Sequence, residues 1–144
     1  MNTIYYYQSF CGLDKLYSHI QDIDTIILSS IHFSTFKNDP YIHLNNYDPD
    51  SPKFDHVWEE LQKVYEQGVE IILMIGGAGG AYKALFSNFD LYYPLLFSML
   101  RKHKMAFKPE SDHNEGVKVT FGSELGDIIV TQRVGFLVRR INNI

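Results

Sequence analysis

A chain of 144 residues with 45% apolar and 15% aromatic side chains is long enough for one domain with a real core. Its net charge of -4, with the acidic excess in the first hundred residues, argues against nucleic acid as a partner. The only cysteine, Cys11, excludes an intrachain disulfide, and no run approaches the ~18 apolar residues of a membrane span.

Met1 to Phe10 has neither a positive n-region nor a long apolar h-region, so no signal peptide is expected and a soluble, cytoplasmic chain is. Ile4 to Phe10 is aromatic and unbroken, and reads as a first strand. Leu13, Leu16, Tyr17 and Ile20 follow helical spacing. Thr25 to Ser30 is β-branched and apolar, a second strand reaching about Phe33. Residues 34–53, rich in Asn and Asp with Pro40, Pro49 and Pro52, read as a long polar loop.

Ser51-Pro52 is a helix start, with serine as cap and proline at the first helical position. Phe54, Val57, Trp58, Leu61, Val64 and Tyr65 then mark one apolar helical face, and Gly68 fits its carboxyl cap. Glu70 to Ile75 is a third strand, apolar enough for both of its faces to be covered. It runs into Gly76, Gly77, Gly79 and Gly80, where the backbone can turn sharply and come close to a ligand. Asp90 reads as the cap of a third helix carrying Tyr92, Leu95, Leu96, Met99 and Leu100, with Pro94 in its first turn. The basic cluster Arg101, Lys102, Lys104 and Lys108 suits a solvated helix carboxyl end.

Strand and helix thus alternate as in a parallel α/β sheet. The rhythm stops after Lys104, and Met105 to Gly116 shows no apolar run. Val117–Gly122, Asp127–Thr131 and Val134–Val138 look like short strands, too closely spaced for crossovers and therefore hairpins. Residues 1–104 and 105–144 are read as two kinds of structure, a β/α segment and a divergent tail.

In α/β folds ligands sit outside the carboxyl ends of the strands, which places a site at the glycine turn. Around it His32 can bond a hydroxyl, and Tyr6 and Tyr82 can stack on a ring, whereas Trp58 belongs to a core stripe. No complete Gly-x-Gly-x-x-Gly and no Gly-Lys-Ser/Thr is present, so no nucleotide cofactor is expected. His19, His32, His43 and His56 are too widely spaced for a metal set, and Cys11 has no matched base.

Tyr5-Tyr-Tyr-Gln-Ser-Phe10, Ile26-Ile-Leu-Ser-Ser-Ile-His-Phe33 and Met74-Ile-Gly-Gly-Ala-Gly-Gly-Ala-Tyr82 follow one another at a recognisable spacing. With Asn88-Phe-Asp-Leu-Tyr-Tyr-Pro94, they make residues 3–103 similar to the amino-terminal part of family 18 glycoside hydrolases, the chitinases. The resemblance implies a (β/α)8 barrel, chito-oligosaccharide as ligand, and Tyr6, His32, Gly76, Gly77 and Tyr82 as residues that would face it. Such a barrel takes about 250 residues. The fold expected here is therefore an incomplete (β/α)8-barrel-like half with three parallel β/α units, followed by the hairpin-rich tail.

Two positions depart from the family. Its third strand ends in Ser-x-Gly-Gly, and Met74 stands in the serine's place. Its catalytic Asp-Gly-x-Asp-x-Asp-x-Glu lies on the strand after the third helix, where the last Glu is general acid and the Asp before it orients the substrate's own N-acetyl nucleophile. Here that place holds His103-Lys-Met-Ala-Phe-Lys-Pro-Glu-Ser-Asp-His-Asn-Glu115, and no Asp-x-Asp-x-Glu occurs anywhere. Asp112 with Glu115, and Glu124 with Asp127, are spaced to point to opposite faces of a strand.

The expectation is a truncated or degenerate chitinase-like protein, non-catalytic, with residual sugar binding. Its alternatives are a glycosidase fragment completed by a partner chain and a non-sugar interaction module. Open sheet edges would allow a homo-oligomer or a complementing chain.

Overall fold

The structure, a computed structural model, describes residues 3–76, 84–85, 87–107 and 116–122. Three strands, β1 (Ile4–Tyr7), β2 (Thr25–Phe36) and β4 (Glu70–Ile75), lie parallel with β2 in the middle. Their register aligns Tyr6 with Ile27 and Ile27 with Ile72. One face carries Tyr7, Ile26, Leu28, Ile71 and Leu73, all fully buried. It packs on Val57, Trp58, Leu61 and Val64 of helix α1 (Asp55–Glu66) and on Tyr92, Leu96, Met99 and Leu100 of helix α2 (Phe89–Lys102). The other face is covered at its centre, where Ile27 and Ile72 are 2% and 1% exposed. The unbroken apolar pattern of β4 follows from this double burial.

β1 ends at Tyr7, not at Phe10 as its aromatic run suggests. Phe10 has φ 60° and turns the chain toward a 3₁₀ segment, Asp14–Asp22, whose Leu16, Tyr17 and Ile20 lean on the core. Glu60 of α1 clips this turn to the helix layer. It accepts hydrogen bonds from the Tyr7 hydroxyl (3.0 Å) and the Leu13 amide (2.5 Å), while the Gly12 amide donates to the same tyrosine oxygen (2.9 Å). Burial pushes the Tyr7 phenol well above its ordinary range, and the Glu60 carboxylate adds to the shift.

The segment expected to be a polar loop is partly sheet. β2 runs on to Phe36, and β3 (Asp39–Leu44) returns antiparallel beside it, pairing Ile31 with Leu44 and Phe36 with Asp39. Lys37 and Asn38, with φ of 50° and 69°, make the two-residue turn whose twist matches a hairpin. Alternation supplies the driving force. Ile31, Phe33 and Leu44 are buried against the helix layer, with Phe33 beside Tyr92 at 5.3 Å, while the polar residues between them face the other way.

Pro52 starts a short 3₁₀ turn that leads into α1, and Gly68, at φ 95°, closes the helix as expected. Asn88, not Asp90, precedes the first residue of α2, so Pro94 falls in the second turn, where it has no amide for the Asp90 carbonyl. Met105–Phe107 forms a short strand, β5, which the polar character of its surroundings concealed. It pairs antiparallel with β6 (Gly116–Phe121), and β6 pairs antiparallel with β4, giving the order β1-β2-β4-β6-β5 with β3 beside β2. The result is a mixed sheet with parallel strands, and its third parallel strand is flanked by an antiparallel one. The strands expected at 127–131 and 134–138 lie outside the described residues. No helix among the described residues is long and apolar enough to cross a membrane.

Candidate functional site at the carboxyl ends of the parallel strands

The site expected from the sequence lies on the sheet face opposite the helices. Tyr6 is on that face, beside Ile27 in register and 44% exposed, so its ring is free to meet a ligand. Gly76 ends β4 with φ 83°, a conformation that favours glycine, and its amide donates to the Ile31 carbonyl at 2.7 Å. Gly77 and Tyr82 lie outside the described residues, as do Asp112, Glu115, Glu124 and Asp127.

β2 carries an irregularity between Leu28 and Ile31, so that Ser29 and Ser30, joined by a cis peptide, stand opposite Met74 alone. The Ser29 hydroxyl reaches the Met74 sulfur at 3.6 Å, the position where a serine would be expected from the resemblance. Beyond the bulge the alternation brings His32 to the face of Tyr6, because Ile31 and Phe33 are held in the core.

His32 is half-buried, with Nε2 2.6 Å from the Ser30 hydroxyl. Directly across the ladder stands His43, its ring stacked on His32 with centroids 5.3 Å apart and planes 16° from parallel. Tyr41 continues the row, 5.3 Å from His43. His43 Nδ1 bonds the Asn45 carbonyl, so that nitrogen carries the proton; in the neutral ring Nε2 then accepts from the Ser34 hydroxyl at 3.1 Å. Asn45 ties the hairpin down, its Oδ1 accepting from the Ser30 amide (3.0 Å) and its Nδ2 donating to the Gln8 carbonyl (3.4 Å). Burial holds the His32 imidazole below the ordinary histidine range, and His43 pushes the same way.

Spacing in the sequence separated these two histidines, and the reading of residues 34–53 as loop hid the second. The Tyr41-Ile-His-Leu44 alternation after Lys37-Asn38 is the signal that could have found it. Among the described residues no three His, Cys, Asp or Glu side chains cluster as metal ligands.

This face offers ring faces, hydroxyls and imidazoles, which suit a hydroxyl-rich ligand. On the three parallel strands it carries one acid, Glu70, at the amino end of β4, away from Gly76. Glu70 is held by Lys118 of β6 at 3.0 Å and by the Thr25 hydroxyl at 3.5 Å.

No protein-family model and no curated protein sequence matches the chain. Two solved structures do. A chitinase from Aspergillus fumigatus superposes with a TM-score of 0.61 and 29% identity, over 71% of this chain and 40% of its own. A fungal endo-beta-N-acetylglucosaminidase from glycosyl hydrolase family 18 superposes with a TM-score of 0.58 and 24% identity, over 72% of this chain and 41% of its own. The chain spans about two fifths of the length of either, and it resembles family 18 glycoside hydrolases over most of its own length.

Proposed function

We propose that this chain is a chitinase-like protein that binds oligosaccharides of N-acetylglucosamine and does not hydrolyse them. One arrangement carries the reading. The edge of β4, where the next parallel strand of a barrel would bring in the acid, is taken by antiparallel β6. The segment that follows α2 in sequence, Met105–Phe107, has no carboxylate and lies one strand further out. Among the described residues the parallel strands carry no carboxylate at their carboxyl ends, and substrate-assisted cleavage needs such a group as its proton source.

Tyr6 then supplies a ring face, His32 a hydrogen bond and Gly76 a close backbone approach, with Gly77 and Tyr82 completing the set. Completion of an active barrel by a partner chain is disfavoured by the same pairing, because the partner would have to displace β6 from β4.

Titration calorimetry with chitotetraose tests the binding. Weak binding is expected, reduced at least tenfold in both Tyr6→Ala and His32→Ala, with no release of reducing ends above buffer. Turnover of a chromogenic chito-oligosaccharide that disappears in Glu115→Gln would overturn the proposal.

A further inference from the structure

A concavity of about 240 Å³ lies between the carboxyl end of β1 and the loop that enters α1. Phe10, Phe54 and Tyr47 form its apolar wall, with Phe10 and Tyr47 set edge-on to Phe54 at centroid distances of 5.4 and 6.3 Å. Phe54 is 1% exposed, so the wall is anchored in the core. Lys53 stands at this wall, its ammonium 3.1 Å from the centre of the Tyr47 ring and 5.3 Å from that of Phe54. These aromatic faces hold the cation in place without neutralising it. No acidic side chain lines the cleft, and Lys53 has no carboxylate partner among the described residues.

Two side-chain amides complete the lining. The Gln8 amide makes no hydrogen bond among the described residues, and Asn45 Nδ2 spends one of its two hydrogens on the Gln8 carbonyl. The cleft therefore combines one fixed positive charge, spare amide donors and an apolar wall, in a volume suited to a single ring.

We propose that this cleft binds one carboxylate-bearing sugar ring, a uronate, with Lys53 pairing its carboxylate and Gln8 and Asn45 bonding its hydroxyls. The proposal is independent of the sheet-face site, since it concerns a different ligand charge and shares none of Tyr6, His32 or Gly76.

Titration calorimetry of the full chain with D-glucuronate, D-glucose and acetate is the test, each at low and high salt. Glucuronate is expected to bind at least tenfold more tightly than either control and to weaken with salt. Lys53→Gln should lower glucuronate affinity at least tenfold with an unchanged melting temperature, and Lys53→Arg should retain most of it. Tyr6→Ala should leave it unchanged. Equal binding of glucose would overturn the charge assignment, and equal binding of acetate the ring. Absence of glucuronate binding, or full affinity in Lys53→Gln, would overturn the site itself. Loss of glucuronate binding in Tyr6→Ala would overturn its independence.

Discussion

His32 and His43 stand opposite each other across the β2–β3 pair, their imidazoles stacked 5.3 Å apart. Each is anchored by a serine of β2, Ser30 and Ser34 respectively, and His43 is further fixed by the Asn45 carbonyl. The pair links the hairpin to the end of β1, because Asn45 also reaches Ser30 and Gln8. Two charges at that separation would repel.

This arrangement sets a pH dependence. In the unfolded chain His32 takes up its proton near 6.5, and in the folded chain at lower pH, owing first to burial and then to His43. Between those two values the unfolded state binds more protons, so stability rises with pH. The stability contributed by neutral His32 is therefore present above pH 6.5 and is lost as pH falls toward the folded pKa. Urea unfolding followed from pH 7.5 to pH 5 should show a falling midpoint. The fall should be smaller in His32→Gln, and an equal fall in that variant would contradict the assignment.

Glu60 is expected to matter more than its position on a helix surface suggests. It accepts from both Tyr7 and Leu13, and removing a partly buried charged acceptor leaves two donors unpaired. Glu60→Ala should cost about 2–4 kcal/mol in denaturant unfolding, and Tyr7→Phe about 1–2 kcal/mol. The double variant should cost less than their sum, because both delete the same bond.

Leu73 is fully buried in the core on β4, the strand between β2 and β6. Leu73→Ala should destabilise by roughly 2–5 kcal/mol. The Glu70–Lys118 pair, with side chains 27% and 19% exposed, is partly solvated and should contribute less. Glu70→Gln is expected to cost about 1 kcal/mol or below, with the loss shrinking in high salt.

Much of this fold is legible in the sequence where period and punctuation agree. The apolar run from Glu70 to Ile75 gives β4 its bounds, because burial on both faces demands a continuous pattern. Ser51-Pro52 and Gly68 bracket the α1 region, and Trp58 in its apolar stripe is core, 5% exposed. The β2–β3 hairpin is less legible, because Pro40, Asn38 and Asp39 carry the composition of a loop while the alternation around them is that of a strand. β5 is obscure for another reason, since three residues are too few to show a period. Of the candidate site, Tyr6, His32 and Gly76 follow from strand ends, but their partners Ser30, His43 and Asn45 depend on cross-strand pairing that spacing does not encode.

The most direct test concerns the edge of β4. Nuclear Overhauser contacts between the backbones of Ile72 and Lys118, in the antiparallel pattern with Leu73 opposite Val117, are the expected result. Parallel-pattern contacts linking β4 directly to Met105–Phe107, with β6 elsewhere, would instead restore the neighbouring strand of a barrel. That result would contradict the non-hydrolytic reading at its foundation.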